Sequence, residues 1–372
     1  MHGSHPSHGA GLSPYFFDHV FETMSEPGEW YLDRKEGKIY YIPRAGETMD
    51  NAEVVAPKLL SLFRVEGNAS NNQYLWNVSF HRMGFMHTDN LLEDHIGTGN
   101  GNTYGDGAIS VENARVPVIK ACYFGHLGDV AVEFSSGTMG GEISACLFRD
   151  LGSGATGIYH QTTGSSQSIR TGYNYNHDND VLGYGRFFHG EVAMRHFNNV
   201  YEVTEHNLIR DGYYNGITCT SSKVVQSRGY SNTIRKNHIH TIGQGMLSDM
   251  GGIYTSSYQP YTLIENNLVH DVNTRDYTGG AMYLDDNTAY FTVRNNILYN
   301  SNEDVLNVKS HYNLFENNIF AFGTRSILYR HKGLELAEDV LNLGIKPPVF
   351  RNNIFLQNSG QKMFTDVENL YN

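Results

Sequence analysis

Short hydrophobic runs recur along this chain in one format: a hydrophobic residue, two residues, Asn or Cys, one residue, and a second hydrophobic residue. The format is met by Ile234, Asn237 and Ile239, by Ile264, Asn267 and Val269, and by Val293, Asn296 and Leu298. It continues through Phe315, Asn318 and Phe320, and through Phe350, Asn353 and Phe355. Earlier copies are Ile143, Cys146 and Phe148, then Ile119, Cys122 and Phe124, with Phe80, Met83 and Phe85 a weaker one. Asn179 and Asn207 are looser members. Successive copies lie 22 to 39 residues apart, mostly near 30. A second hydrophobic run falls within most steps, as at Ile109, Ile158, Ile217, Ile253 and Met282.

Alternation of period two buries one face of a strand. A repeat near 30 residues holding two or three short strands and no helix predicts a parallel β-helix whose coils stack about 4.8 Å apart. The predicted fold class is therefore all-β: a right-handed parallel β-helix, a solenoid of about ten coils. A propeller blade is longer, and a sandwich would not repeat one Asn position. The organisation read from the chain is a flexible leader over 1–14, an N-terminal β-rich segment over 15–70 packed on the solenoid, and the solenoid over 71–372. The Asn column is expected to be structural, each Asn sitting at a bend in the left-handed conformation and passing hydrogen bonds along a ladder. Cys122 and Cys146 are expected to stand in for it.

Composition agrees with turns and strands. The 372 residues include 39 Gly and 25 Tyr but only 9 Pro. The net charge is 27 − 39 = −12, which argues against a nucleic-acid binder or a binder of anionic membranes. No apolar stretch is long enough to span a membrane. Three Cys without zinc spacing make a disulfide framework or metal knuckle a poor reading. The first residues, rich in Gly, Ser and His, show no secretory pattern.

Candidate chemistry gathers where side chains leave the second hydrophobic run. Aligning those runs gives an outward column of Gln161, His196, Thr220, Ser256, Asp285, Lys309 and His331, with His160, Arg195, Tyr254 and Arg330 alongside. Isolated polar positions on a solenoid are ordinarily solvated, but a cluster of carboxylate, imidazole, ammonium and guanidinium groups suits a polar groove. The most distinctive segments are GMLSDMGGIY, ending at Tyr254, and GGAMYLDDN, ending at Asn287. They supply Asp249, Asp285 and Asp286, with Asp276 in reserve. Paired carboxyls are what glycosidic hydrolysis requires. Register places Asp249 beside Thr278, leaving open how closely it approaches Asp285. His240 and His270 lie one coil apart, near the recurring Asp150, Asp211 and Asp271, and read as a stacked polar turn. The GTGNGNTYGDG stretch, inside an insertion from His87 to Asp106, lacks a βαβ context and does not read as a nucleotide loop.

Several segments carry a resemblance: PGEWYLDRKEGKIYYIPRAGE from Pro27, NVSFHRMGFMHTD from Asn77, GQGMLSDMGGIYT from Gly243 and NNIFAFG from Asn317. Together they resemble right-handed β-helix glycoside hydrolases of family 141, from about Phe16 to the C-terminus. The resemblance implies hydrolysis of plant cell-wall glycans, a family that includes α-L-fucosidase and xylanase activities. Its catalytic aspartates fall on Asp249 and on Asp285 or Asp286. The chain departs from that pattern in starting close to the PGEWYLD segment and in its Tyr-, His- and Asn-rich stretch from Arg170 to Asn199.

The expected function is a glycoside hydrolase acting on a plant or algal cell-wall type polysaccharide. The catalytic residues are Asp249, Asp285 and Asp286. Substrate binding falls to His160, Arg195, His196, Tyr254, Asp276, Lys309, Arg330 and His331. No cofactor is expected, although acidic loops would admit Ca²⁺. The expected partner is a polysaccharide or oligosaccharide, with no nucleic acid and no membrane, and a secreted or periplasmic setting follows from the substrate. The alternatives are a polysaccharide lyase or uronate epimerase on the same fold, and a glycan-binding solenoid without catalysis.

Overall fold

The computed structural model describes residues 17, 19–91, 107–160, 170–221, 229–275, 278–330 and 347–365. Three strands per turn of chain build three long sheets. The first holds ten strands, from Ser79–His81 to Val349–Arg351, and the second ten, from Gly84–Met86 to Ile354–Leu356. The third holds eleven, from Phe63–Glu66 to Phe364–Thr365. Each strand pairs in parallel with its counterpart one coil earlier and one later. This is the parallel β-helix that the repeat predicts. An antiparallel hairpin, Trp30–Asp33 with Lys38–Tyr41, precedes the coils. The strand Phe63–Glu66 pairs with Ile109–Glu112, so the third sheet begins within the N-terminal β-rich segment.

The repeated hydrophobic positions face inward in register. Ile234, Ile264, Val293, Phe315 and Phe350 stack in the first sheet. Ile239, Val269, Leu298, Phe320 and Phe355 stack in the second. Early coils add a parallel phenyl stack, Phe85 on Phe124 on Phe148, with centroids 5.1 and 5.0 Å apart. Stacked side chains of like kind fill the narrow interior, which is how close-packed cores are reached.

The asparagine column turns the corner between the first and second sheets. From Asn207 to Asn318, each side-chain Oδ1 accepts both the backbone N–H and the Nδ2 of the Asn one coil earlier, at 3.0–3.1 Å. Asn353 closes the series by accepting both from Asn318 at 2.9 Å. Each Nδ2 also caps a backbone carbonyl, as Asn267 does on Ile234 at 3.0 Å. The left-handed conformation expected of these asparagines belongs instead to the residue before each: His206, Lys236, Asn266, Asn295, Asn317 and Asn352, at φ 54 to 56°. The sharp bend is thus made one position early, which turns the Asn inward to serve the ladder. Cys146 occupies the same place, its Sγ 3.6 Å from the Ile119 carbonyl. Burial pushes its thiol up to about 12.

The sheets differ on their outer faces. The first and second alternate buried and exposed residues, as in His238–Ile242. Met250–Thr255, Gly279–Leu284 and Asp304–Val308 of the third sheet are buried on both faces. Simple alternation anticipates one buried face; the third sheet has two, and that second buried face carries the site.

Candidate active site

Register in the third sheet sets one outward row: Glu133, Gly157, Arg195, Thr218, Tyr254, Tyr283, Asn307 and Tyr329. At about 4.8 Å per rung the row exceeds 30 Å in length. Just past the strand ends, Asp285 N–H bonds to the Thr255 carbonyl and Lys309 N–H to the Leu284 carbonyl, so Asp285 and Lys309 stack on adjacent coils.

Asp285 is buried, 7% exposed. Its Oδ2 accepts a 2.5 Å hydrogen bond from the Tyr254 hydroxyl, and its Oδ1 lies 3.4 Å from Lys309 Nζ. Tyr283 also hydrogen-bonds this carboxylate. Lys309 makes a second, shorter ion pair with Asp286, at 2.7 Å. Burial alone would lower the Lys309 ammonium, but Asp286 and Asp285 hold it above its ordinary value. Lys309 is therefore the cation set against the buried carboxyl of Asp285.

Asp249 is half-buried and sits on a left-handed bend, φ 57°, immediately before Met250–Thr255. Its N–H donates to the Thr278 carbonyl at 2.7 Å, the register read from the sequence. Its carbonyl accepts the Tyr214 hydroxyl at 2.6 Å. Burial first, then the charges of Asp285 and Asp249, raise the hydroxyl pKa values of Tyr254 and Tyr283 well above their ordinary value. Tyr214 is raised by burial and by the same two aspartates, with Glu191 contributing. Both aspartates thus act on one set of three buried phenols. The paired glycines hold this arrangement: a Cβ at Gly251 would lie 3.2 Å from Tyr283 Cβ, and one at Gly252 only 2.3 Å from Val269 Cγ1. The Gly pair lies within the strand and lets backbone pack against side chains on both sides.

Arg195 and Tyr254 face outward on the row as expected, two rungs apart. His196 does not. It pairs with Ile158 and Cys219 in the inward column, 3% exposed, and shares a 2.8 Å hydrogen bond with Thr204 Oγ1. Burial pushes its imidazole down to about 4, so it is a neutral core residue. The residue of that coil in register with Thr220 is Phe197, which shares the outward parity of Arg195. The misplacement is a one-residue slip, which flips a side chain across the sheet. Arg330 is likewise inward, in register with Val308 and Leu284. His160 is buried next to Tyr159, its N–H bonded to the Phe197 carbonyl at 3.0 Å. Asp276, Gln161 and His331, and most of the insertion from His87 to Asp106, lie outside the described residues.

A second group on the row was not singled out from the sequence. Glu133, 4% exposed, accepts from Gly107 N–H at 3.0 Å and from the Tyr159 hydroxyl at 2.9 Å. Burial pushes its carboxyl up to about 7, against those hydrogen bonds. Arg195 lies over the Tyr159 ring, 5.6 Å from its centroid. Glu133 sits four rungs, about 19 Å, from Tyr254. Its outward parity with Arg195 was the only available signal. His240 and His270 stack 5.1 Å apart within paired strands of the second sheet, not at a turn as expected, and lie away from this row. Among the described residues, no group of three or more His, Cys, Asp or Glu side chains is placed to hold a metal ion.

Residues 5–44 match the family model of the GH141 insertion domain. Among solved structures, the chain resembles one described as a glycoside hydrolase, at 22% identity and TM-score 0.67, over 82% of this chain and 58% of that one. It also resembles XylC in complex with xylose, at 12% identity and TM-score 0.54, over 91% of this chain and 65% of that one. The chain thus spans less than two thirds of the length of either. No curated protein matches it. The family resemblance read from the sequence is met by the insertion-domain model at the N-terminus and by the fold of a glycoside hydrolase over the solenoid.

Proposed function

We propose that this chain cleaves glycosidic bonds, with Asp285 as the charged carboxylate and Asp249 as the proton donor. The observation that carries the reading is the shared set of buried phenols, Tyr214, Tyr254 and Tyr283, on which both aspartates act. Glycoside hydrolysis needs one ionised carboxylate, as nucleophile or base, and one acid that protonates the leaving oxygen. Asp285, with Lys309 and two tyrosine hydroxyls against it, suits the ionised role. Asp249, anchored through its own N–H and carbonyl, suits the donor. Asp286 steadies Lys309. Arg195, Tyr254 and the outward row would bind an extended sugar chain, and His160, Asp276 and His331 are proposed as further substrate-binding residues. We further propose a cell-wall type polysaccharide as substrate, met outside the cell or in the periplasm, and chemistry carried by carboxyls without a cofactor.

A lyase at these residues would need an available cation to neutralise a uronate. Lys309 is engaged with Asp285 and Asp286, which favours hydrolysis. The test is a glycan panel headed by xylan, because a structural neighbour binds xylose. New reducing ends without ultraviolet absorbance are expected. An unsaturated, absorbing product would replace hydrolysis by elimination. Asp249→Asn and Asp285→Asn are each expected to lower turnover by roughly 10²-fold or more while circular dichroism and melting stay near wild type. Full activity in Asp285→Asn would sink the assignment.

A further inference from the structure

A buried cation near the C-terminal end has no part in that reaction. Arg330 closes the strand Ser326–Arg330 and pairs with Val308, leaving the sheet on the inward side. It is 9% exposed. Its Nη1 is buried with no hydrogen-bond partner, and no carboxylate among the described residues pairs with it. Arg325, just before the same strand, differs: it is paired with Asp304 and Glu303.

The surroundings of Arg330 repeat the pattern. His311 is 2% exposed and bridges to Ala289, and neither Nδ1 nor Nε2 has a partner. Burial, with the nearby Arg330 charge adding to it, pushes its imidazole down to about 4. A neutral imidazole still donates one N–H. Ser310 is fully buried, and its Oγ is also unpartnered. Buried polar groups are almost always satisfied, and a buried guanidinium costs most when left unpaired. Three such groups in one corner of the fold point to something that occupies it.

We propose that Arg330, His311 and Ser310 form a binding site for a single carboxylate or tetrahedral oxyanion. The guanidinium fork matches two oxygens of such a group, and the imidazole N–H and serine hydroxyl reach further lone pairs. Lys309 is one residue past the Val308 rung but is engaged with Asp285 and Asp286, so the anion falls to Arg330. The site stands whether or not the aspartates hydrolyse glycans. Two sources share this chemistry, a free small anion and the carboxylate of an acidic sugar.

The test uses the full chain and thermal melting with sodium sulfate, acetate or glucuronate, each against sodium chloride at equal ionic strength. A ligand that binds the folded state alone raises the midpoint with a saturable dependence. The wild type is expected to show that dependence, and Arg330→Met to lose it. Saturation by glucuronate alone assigns the site to an acidic sugar, and saturation by sulfate or acetate as well assigns it to a free anion. If Arg330→Met does not fold, His311→Gln is expected to weaken the apparent affinity several-fold. No saturable rise in the wild type, or an equal rise in the variant that folds, overturns the proposal.

Discussion

Single residues on the third sheet carry opposite consequences for their environment. Glu133 and Asp285 face the same row and are both almost fully buried. Asp285 has a lysine against it, and Glu133 has neutral donors. The Glu133 carboxyl, raised to about 7 from 4.5, binds its proton more tightly folded than unfolded. Between those values the folded state holds more protons, so stability falls as pH rises from 4.5 to 7 and levels off above. The full effect is about 3 kcal/mol. Urea denaturation across that range should show the slope, and Glu133→Gln should flatten it. An unchanged slope in the variant would show that another group is responsible.

The elements show what sequence could and could not reveal. The strand columns, the coil spacing and the Asn ladder were legible because stacking forces the same residue type into the same place, coil after coil. That Tyr254, Asp285 and Lys309 lie together was legible because they sit in or beside paired strands of like sequence. His196 and Arg330 were misread because a groove wall depends on parity, and parity is lost when the offset into a strand is wrong by one. Glu133 and Tyr159 were missed because three and two strands, respectively, separate their coils from Met250–Thr255, and no local spacing joins them. The left-handed bend was assigned one residue late because Asn tolerates that conformation, whereas here its side chain is needed inward. Asn267→Ala would strip the Asn237 N–H and Nδ2 of their shared acceptor, take the Nδ2 donor from the Ile234 carbonyl, and leave Asn296 Oδ1 with the backbone N–H alone. A loss of roughly 2–5 kcal/mol is expected in denaturant titration. Asn353→Ala, at the less buried end of the ladder, is expected to cost clearly less.

At the scale of the molecule, each coil contacts its neighbours alone, so stability is a sum of coil and interface contributions. The net charge of −12 acts over the whole surface. A polyanionic glycan is repelled at long range even if Arg330 and Arg195 attract it locally. For such a substrate, raising ionic strength from low salt to about 0.15 M should speed association, and a neutral glycan should show little change. Stopped-flow binding at several salt concentrations would separate the two. A decline with salt for the acidic glycan would mean that local cations dominate the approach.

The ladder from Asn179 to Asn353 has a direction. Along the ladder every Oδ1 accepts from the earlier coil and every Nδ2 donates to the Oδ1 of the later one, besides capping an earlier carbonyl, so the side-chain amide bonds run head to tail along the axis. Chains of hydrogen bonds polarise their members, and bonds in the middle gain more than bonds at either end. The column therefore behaves as a polar wire through an otherwise apolar core, most strongly bound at its centre, beside the coils that carry Asp249 and Asp285.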